Sequence, residues 1–164
     1  MALEYFAPEC FDNPRQVLDN MVKVISRASM VSVFEKPKFR DFAKEALDEE
    51  IMFLTMGLKN FLHGDRETGF NMMEDVLRPH KLAKWTLLTI CPYYYKPTEE
   101  VFIKPTTVKN GIRFFELEGL EYSAKPTYDF YIAYKAAVDK MKKAVNITDD
   151  NAAFGGFIMI TTEM

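Results

Sequence analysis

Residues 37–64, PKFRDFAKEALDEEIMFLTMGLKNFLHG, decide the fold class of this chain. Phe39, Phe42, Ala43, Ala46, Leu47, Ile51, Leu54, Leu58, Phe61 and Leu62 recur at three- and four-residue steps, which is one face of an α-helix. The stretch is expected as one long helix from about Pro37, with Gly64 supplying a left-handed stop. Met52, Phe53 and Met56 widen the apolar face of its second half, which predicts neighbours on two sides there.

Working upstream, Asn13-Pro14 is a helix start, because Asn accepts from free first-turn amides and Pro suits the first helical position. Val17, Leu18, Met21, Val22, Ile25 and Ala28 then form a buried stripe. Residues 29–36 read as a connector, with Val31, Val33 and Phe34 tucked beneath it.

Downstream, a shorter helix is expected over residues 65–77, limited by Pro79. Residues 83–90 fit a buried helix or a buried strand by period, and Lys81 and Lys84 ahead of Trp85 favour helix. Pro92, Pro97 and Pro105 break the chain into an extended crossing over residues 91–105, with 101–104 as one short strand. Thr106 or Thr107 would cap a helix reaching Glu118, with Val108, Ile112, Phe115, Phe114 and Leu117 as its stripe and Gly119 as its stop. Lys125-Pro126-Thr127 opens another helix, whose inner face is Tyr131, Tyr134, Val138, Met141 and Val145. Thr148-Asp149-Asp150 would cap a last helix through Phe154, Phe157, Ile158 and Ile160, weakened by Gly155-Gly156.

Composition agrees with a helical fold. The 164 residues suit a single domain spanning 1–164, 48% apolar and 27% charged, near the globular average and far from disorder. Fourteen Phe, eight Tyr and ten Met against seven Gly point to a core of large, adaptable side chains. Cys10 and Cys91 form no zinc or redox spacing and read as reduced thiols. The first residues lack the basic start and apolar run of a signal peptide. The longest nearly uncharged runs, 85–95 and 151–162, fall short of the roughly 20 residues a membrane span needs. A cytoplasmic protein with no membrane partner is expected.

Charge is unevenly spread. Residues 78–113 carry Arg78, Lys81, Lys84, Lys96, Lys104, Lys109 and Arg113 against Glu99 and Glu100, a local +5 in a chain of net charge −3. Trp85, Tyr93, Tyr94, Tyr95 and Phe102 sit between those charges. Exposed, such rings stack on bases beside phosphate-attracting lysines; turned inward, they form a core wall with lysines snorkelling past. A sequence pI near 5.5 argues against a dedicated nucleic-acid binder, which is basic as a whole.

Sites of catalysis are scarce. His63 and Asp65 flank a helix end, where His63 serves as a favourable C-terminal cation, and His80 opens the basic segment. Glu45, Asp48, Glu49 and Glu50 read as a solvated face, with Glu45 and Glu49 an i,i+4 pair; neither histidine stands in Glu-x-x-His spacing, so no metal is expected. Cys91 reads as a buried hydrophobe. No Gly-x-Ser-x-Gly, phosphate loop, dinucleotide fingerprint or Cys/His cluster is present, so no catalytic residue and no cofactor is expected.

Lys84-Trp85-Thr86, Pro92-Tyr93, Pro97 and the run Phe102-Ile103-Lys104-Pro105-Thr106-Thr107-Val108 resemble a segment of uncharacterised bacterial proteins. The likeness covers the second half of the chain. It implies a bacterial origin and a module that occurs beside other domains, and it transfers no residue role.

The expected architecture is a compact all-α domain, or α with one minor short β element, built as a bundle of six or seven helices. The expected function is non-enzymatic binding through Lys81, Lys84, Trp85, Tyr93, Tyr94, Tyr95, Lys96, Lys104, Lys109 and Arg113. An acidic protein partner or a second copy of the chain comes first and nucleic acid second. A third reading is a small hydrolase or transferase built on His63, Asp65, His80 and Cys91, which requires at least two of them to converge in one pocket.

Overall fold

The computed structural model describes residues 2–144, all of whose regular elements are helical. A single turn, α1 (Ala2–Tyr5), and a 3-10 turn (Pro8–Asp12) lead into α2 (Pro14–Arg27), α3 (Glu35–Glu45), α4 (Asp48–His63) and α5 (Arg66–Leu77). A second 3-10 turn (Arg78–His80) precedes α6 (Trp85–Tyr95), α7 (Pro105–Phe114) and α8 (Tyr128–Ala144). The all-α expectation holds. The expected last helix through Phe154 and Ile160, its Gly155-Gly156 pair and the Val145 end of the inner face lie outside the described residues.

Helix starts follow local chemistry. Asn13 Oδ1 accepts from Gln16 N at 3.2 Å to open α2, and Asp65 Oδ1 accepts from Thr68 N at 3.2 Å to open α5. Thr127 Oγ1 accepts from Phe130 N at 3.2 Å to open α8. Each satisfies one of the orphan amides of a first turn.

The expected long helix is two helices. Ala46 (φ −61°, ψ 138°) and Leu47 (φ −71°, ψ 155°) are extended, so α3 ends at Glu45 and α4 begins at Asp48. Asp48, Glu49 and Glu50 form the first turn of α4, where the positive helix end favours carboxylates. Glu50 Oε1 also accepts from Leu47 N at 3.1 Å. The apolar period runs unbroken across the break because both helices bury the same kind of face. The i,i+4 pairing of Glu45 with Glu49 therefore does not exist, since the residues belong to different helices.

Other expectations are also corrected. Gly64 ends α4 at φ −148°, outside the left-handed region, with its N–H on Asn60 O at 2.9 Å. Val31 is buried, but Val33 and Phe34 are exposed, because the connector turns outward as α3 starts. Met52, Phe53 and Met56 are exposed as well: α4 packs on α5, α2 and the first 3-10 turn, and the widened part of its apolar face stays uncovered. Pro92 lies inside α6 instead of ending it. The buried turn of Cys91, Pro92, Tyr93 and Tyr95 offsets the hydrogen bond that proline cannot make.

Residues 101–104 form no strand. Their inward amides bond to side chains: Ile103 N to Thr89 Oγ1 at 3.0 Å and Val101 N to the Tyr131 hydroxyl at 3.3 Å. Helix α7 starts at Pro105 with Lys104 as its cap residue, not at Thr106 or Thr107, because proline at the first position needs no amide partner. It ends at Phe114, which is exposed, well before Glu118.

The core is an aromatic chain crossing four helices. Phe61 of α4 meets Phe70 of α5 at 6.0 Å between ring centres, and Phe70 meets Trp85 of α6 at 6.1 Å. Trp85 meets Phe130 of α8 at 5.3 Å, and Tyr131 closes back on Phe61 at 5.4 Å. Each such pair contributes about 0.5–1.5 kcal/mol beyond the apolar area it buries.

A buried ion pair pins the crossing to this core. Glu100, 2% exposed, accepts two bonds from Arg66 Nη2 at 2.8 and 2.9 Å and one from the Tyr131 hydroxyl. The Arg66 guanidinium lies 4.4 Å above the Phe61 ring and donates to Phe61 O at 2.9 Å. Its partners Arg66 and Tyr131 stand 34 and 31 residues away in the chain, so the pairing is not visible in the basic segment itself.

Candidate binding surface

The rings of the basic segment point inward. Trp85 is 2% exposed, Tyr93 8% and Tyr95 9%, while Tyr94 and Phe102 are half-buried and packed on the core. Trp85 Nε1 donates to Ser123 O at 2.7 Å, which satisfies its one polar atom. The core-wall reading of these rings therefore holds, and Trp85, Tyr93 and Tyr95 are withdrawn from contact with a ligand.

The cations separate by whether they are already paired. Arg78 is held by Glu74, through Nε to Oε1 at 2.9 Å and a second bond from Nη2, and by Asp75 Oδ1 at 2.6 Å. Lys96 lies 3.5 Å from Glu99 Oε2. Arg113 donates to Asn110 Oδ1 at 3.2 Å, and the Lys109 ammonium sits 4.9 Å from the Tyr122 ring centre. Lys81, Lys84 and Lys104 are exposed and lie in no salt bridge among the described residues.

Lys81 and Lys84 share a groove of about 310 Å³ with Arg78, Glu74, Pro126 and Lys125. Lys125, which was not among the expected site residues, arrives from the segment before α8. Four cations thus face one carboxylate, and that carboxylate is already committed to Arg78. Lys81 occupies the left-handed region (φ 58°, ψ 30°), where a non-glycine residue costs about 1 kcal/mol. This turn closes with Leu82 N on Leu77 O at 3.0 Å and carries the chain from α5 towards α6 along the groove.

Residues 122–125 link the groove to α7. Tyr122 lies under Lys109, Ser123 receives the Trp85 indole, and Lys125 enters the groove. A signal for Lys125 was present in the sequence, as the lysine just before a helix-opening Pro-Thr. The Trp85–Ser123 bond and the Trp85–Phe130 ring contact hold its segment against α6, beside Lys84.

The four residues of the enzymatic reading have separate engagements. His63 Nε2 donates to Phe6 O at 2.8 Å, and its ring meets Tyr95 at 5.4 Å. Asp65 Oδ2 accepts from Thr68 Oγ1 at 2.9 Å in addition to capping α5. His80 donates to Glu50 and packs 4.7 Å from the Phe42 ring. The Leu47 amide, and then His80, hold the Glu50 carboxyl below its ordinary value. Cys91 is fully buried, and burial pushes its thiol up, which keeps it protonated. No hydrogen bond joins any two of the four, and among the described residues no cluster of His, Cys, Asp or Glu is arranged to hold a metal. Among the same residues no helix is long and apolar enough to cross a membrane.

No family model, curated protein or solved structure matches the chain.

Proposed function

We propose that this protein is a non-enzymatic binding module that engages an acidic segment of a protein partner through the groove of Lys81, Lys84 and Lys125. The observation that carries the reading is the charge imbalance: three lysines line the groove, and its one carboxylate, Glu74, is already paired with its fourth cation, Arg78. Exposed Lys109 of α7, over the Tyr122 ring, extends the positive surface along the 122–125 segment. Such a surface steers an anionic partner and sets its on-rate more than its final affinity.

Burial of Trp85, Tyr93 and Tyr95 favours an acidic protein over single-stranded nucleic acid, since base stacking needs open rings. Reversing Lys81, Lys84 and Lys125 together to Glu is expected to abolish retention on an immobilised polyglutamate column. Reversing Lys96, Lys104 and Lys109 is expected to weaken retention only in part. Unchanged retention of the groove variant would rule the surface out. Tighter capture by an oligonucleotide than by polyglutamate at equal salt would transfer the reading to nucleic acid.

A further inference from the structure

Helix α4 carries a second surface whose chemistry differs from that of the groove. Its buried face, Ile51, Leu54, Leu58, Phe61 and Leu62, packs into the core, chiefly against α5 and α2. Its outer face presents Glu49, Met52, Phe53, Met56 and Lys59, all exposed, at helical steps of three and four residues. Met52 is 54% exposed, Phe53 41% and Met56 49%, large apolar groups side by side on a helix that already has its core contacts. Neither Glu49 nor Lys59 lies in a salt bridge among the described residues. Beside the stripe runs a groove of about 410 Å³ lined by Phe11, Asp12, Pro14, Met52, Met56 and Lys59.

This stripe complements itself. Its negative end, Glu49, and its positive end, Lys59, stand about 15 Å apart along the helix axis with the methionines and Phe53 between them. A two-fold axis across the middle of the stripe places Glu49 opposite the partner's Lys59 and Met52 opposite the partner's Met56. Both charge pairs are then attractive and the apolar centres coincide, as an isologous contact demands. The parallel arrangement would oppose Glu49 to its own copy and Lys59 to its own copy, so it is disfavoured by like-charge repulsion. Met side chains, with three rotatable bonds, adapt to the opposing surface and to the adjoining groove.

We infer that the outer face of α4 is the contact between two copies of this chain, paired antiparallel about a two-fold axis. One helix face buries less area than a standard interface, so the dimer is weak and depends on concentration. It leaves the basic groove, at the α5–α6 connection and the segment before α8, to the acidic partner.

Analytical ultracentrifugation of the full chain from about 1 to 500 µM is the test, a range suited to a small interface. Dimer formation is expected, and Met56→Glu, checked for an unchanged circular dichroism spectrum, is expected to abolish it. Glu49→Lys and Lys59→Glu are each expected to weaken dimerisation about tenfold, because two attractive pairs become repulsive. The double variant E49K/K59E should restore it, and an equimolar mixture of the two single variants should form the mixed dimer in preference to either self-pair. A monomer at every concentration would overturn the inference. So would single variants that dimerise like the parent, or a double variant that stays weakened.

Discussion

Gly57 and Gly69 meet backbone to backbone where α4 crosses α5: a Cβ on Gly57 would lie 3.0 Å from Gly69 O and 2.9 Å from Met73 Cγ. A Cβ on Gly69 would overlap both the Gly57 carbonyl oxygen and the Phe61 amide nitrogen. This crossing sets the spacing of the two helices that deliver Phe61, Arg66 and Phe70 to the core.

Gly69→Ala is expected to destabilise the fold by about 3 kcal/mol or more, because the obstacle is backbone and cannot rotate away. The roughly 1 kcal/mol that alanine gains over glycine within a helix is too small to offset it. Gly57→Ala should cost less, since part of its obstacle is the flexible Met73 side chain. Chemical denaturation of the two variants gives the comparison.

Arg66→Ala leaves the Glu100 carboxylate buried without its cation. A loss of about 3 kcal/mol is expected, at the lower end for a buried pair because Arg66 is itself 32% exposed. Glu100→Gln should cost less, about 1–2 kcal/mol, since an amide still accepts from Arg66 and Tyr131. A double-mutant cycle on the two positions should return a coupling of about 1 kcal/mol or more.

Alkaline pH should unfold the chain cooperatively. Burial, and then the charge of Glu100, hold the Tyr131 phenol well above its ordinary value. Burial alone pushes Tyr134 up to about 12 and raises Cys91. A folded-state pKa above the unfolded one gives stability that is complete below the unfolded value and is lost as pH rises towards the folded one. Melting temperature should therefore fall from about pH 9 upward, where unfolded cysteine and tyrosine begin to ionise. Tyr134→Phe should remove part of that slope, and a pH series of thermal melts measures it.

Leu47 is 67% exposed and heads α4 without a side-chain cap. Leu47→Ser is expected to stabilise the fold by about 1 kcal/mol by giving the first turn an acceptor. Glu50→Gln should act in the opposite direction. Because the Glu50 carboxyl is held low by the Leu47 amide and then by His80, its contribution is present above its ordinary value of 4.5 and fades as pH falls through the lower folded value. Thermal melts between pH 3 and pH 7, a roughly 4-unit span bracketing an ordinary carboxylate, are expected to show that loss in the parent chain and in Leu47→Ser but not in Glu50→Gln.

Much of the candidate surface was legible in part. Lys81 and Lys84 were marked by local charge density, and both line the groove. Lys125 was missed because it belongs to another segment, and Arg78 and Lys96 were credited with charge that Glu74, Asp75 and Glu99 neutralise. The α4 stripe was seen as a widened apolar face, but it was assigned a second neighbour within the chain.

Sequence alone determined that the chain is helical and where several helices begin, because apolar period and the caps Asn13, Asp65 and Thr127 act within a few residues. Tertiary structure decided the break at Ala46-Leu47, the passage of α6 through Pro92, and which charges are spent and which are open. The physical reason is range. A helix face keeps the same period on either side of a two-residue break, whereas Arg66 finds Glu100, and Lys84 finds Lys125, only after the whole chain has packed.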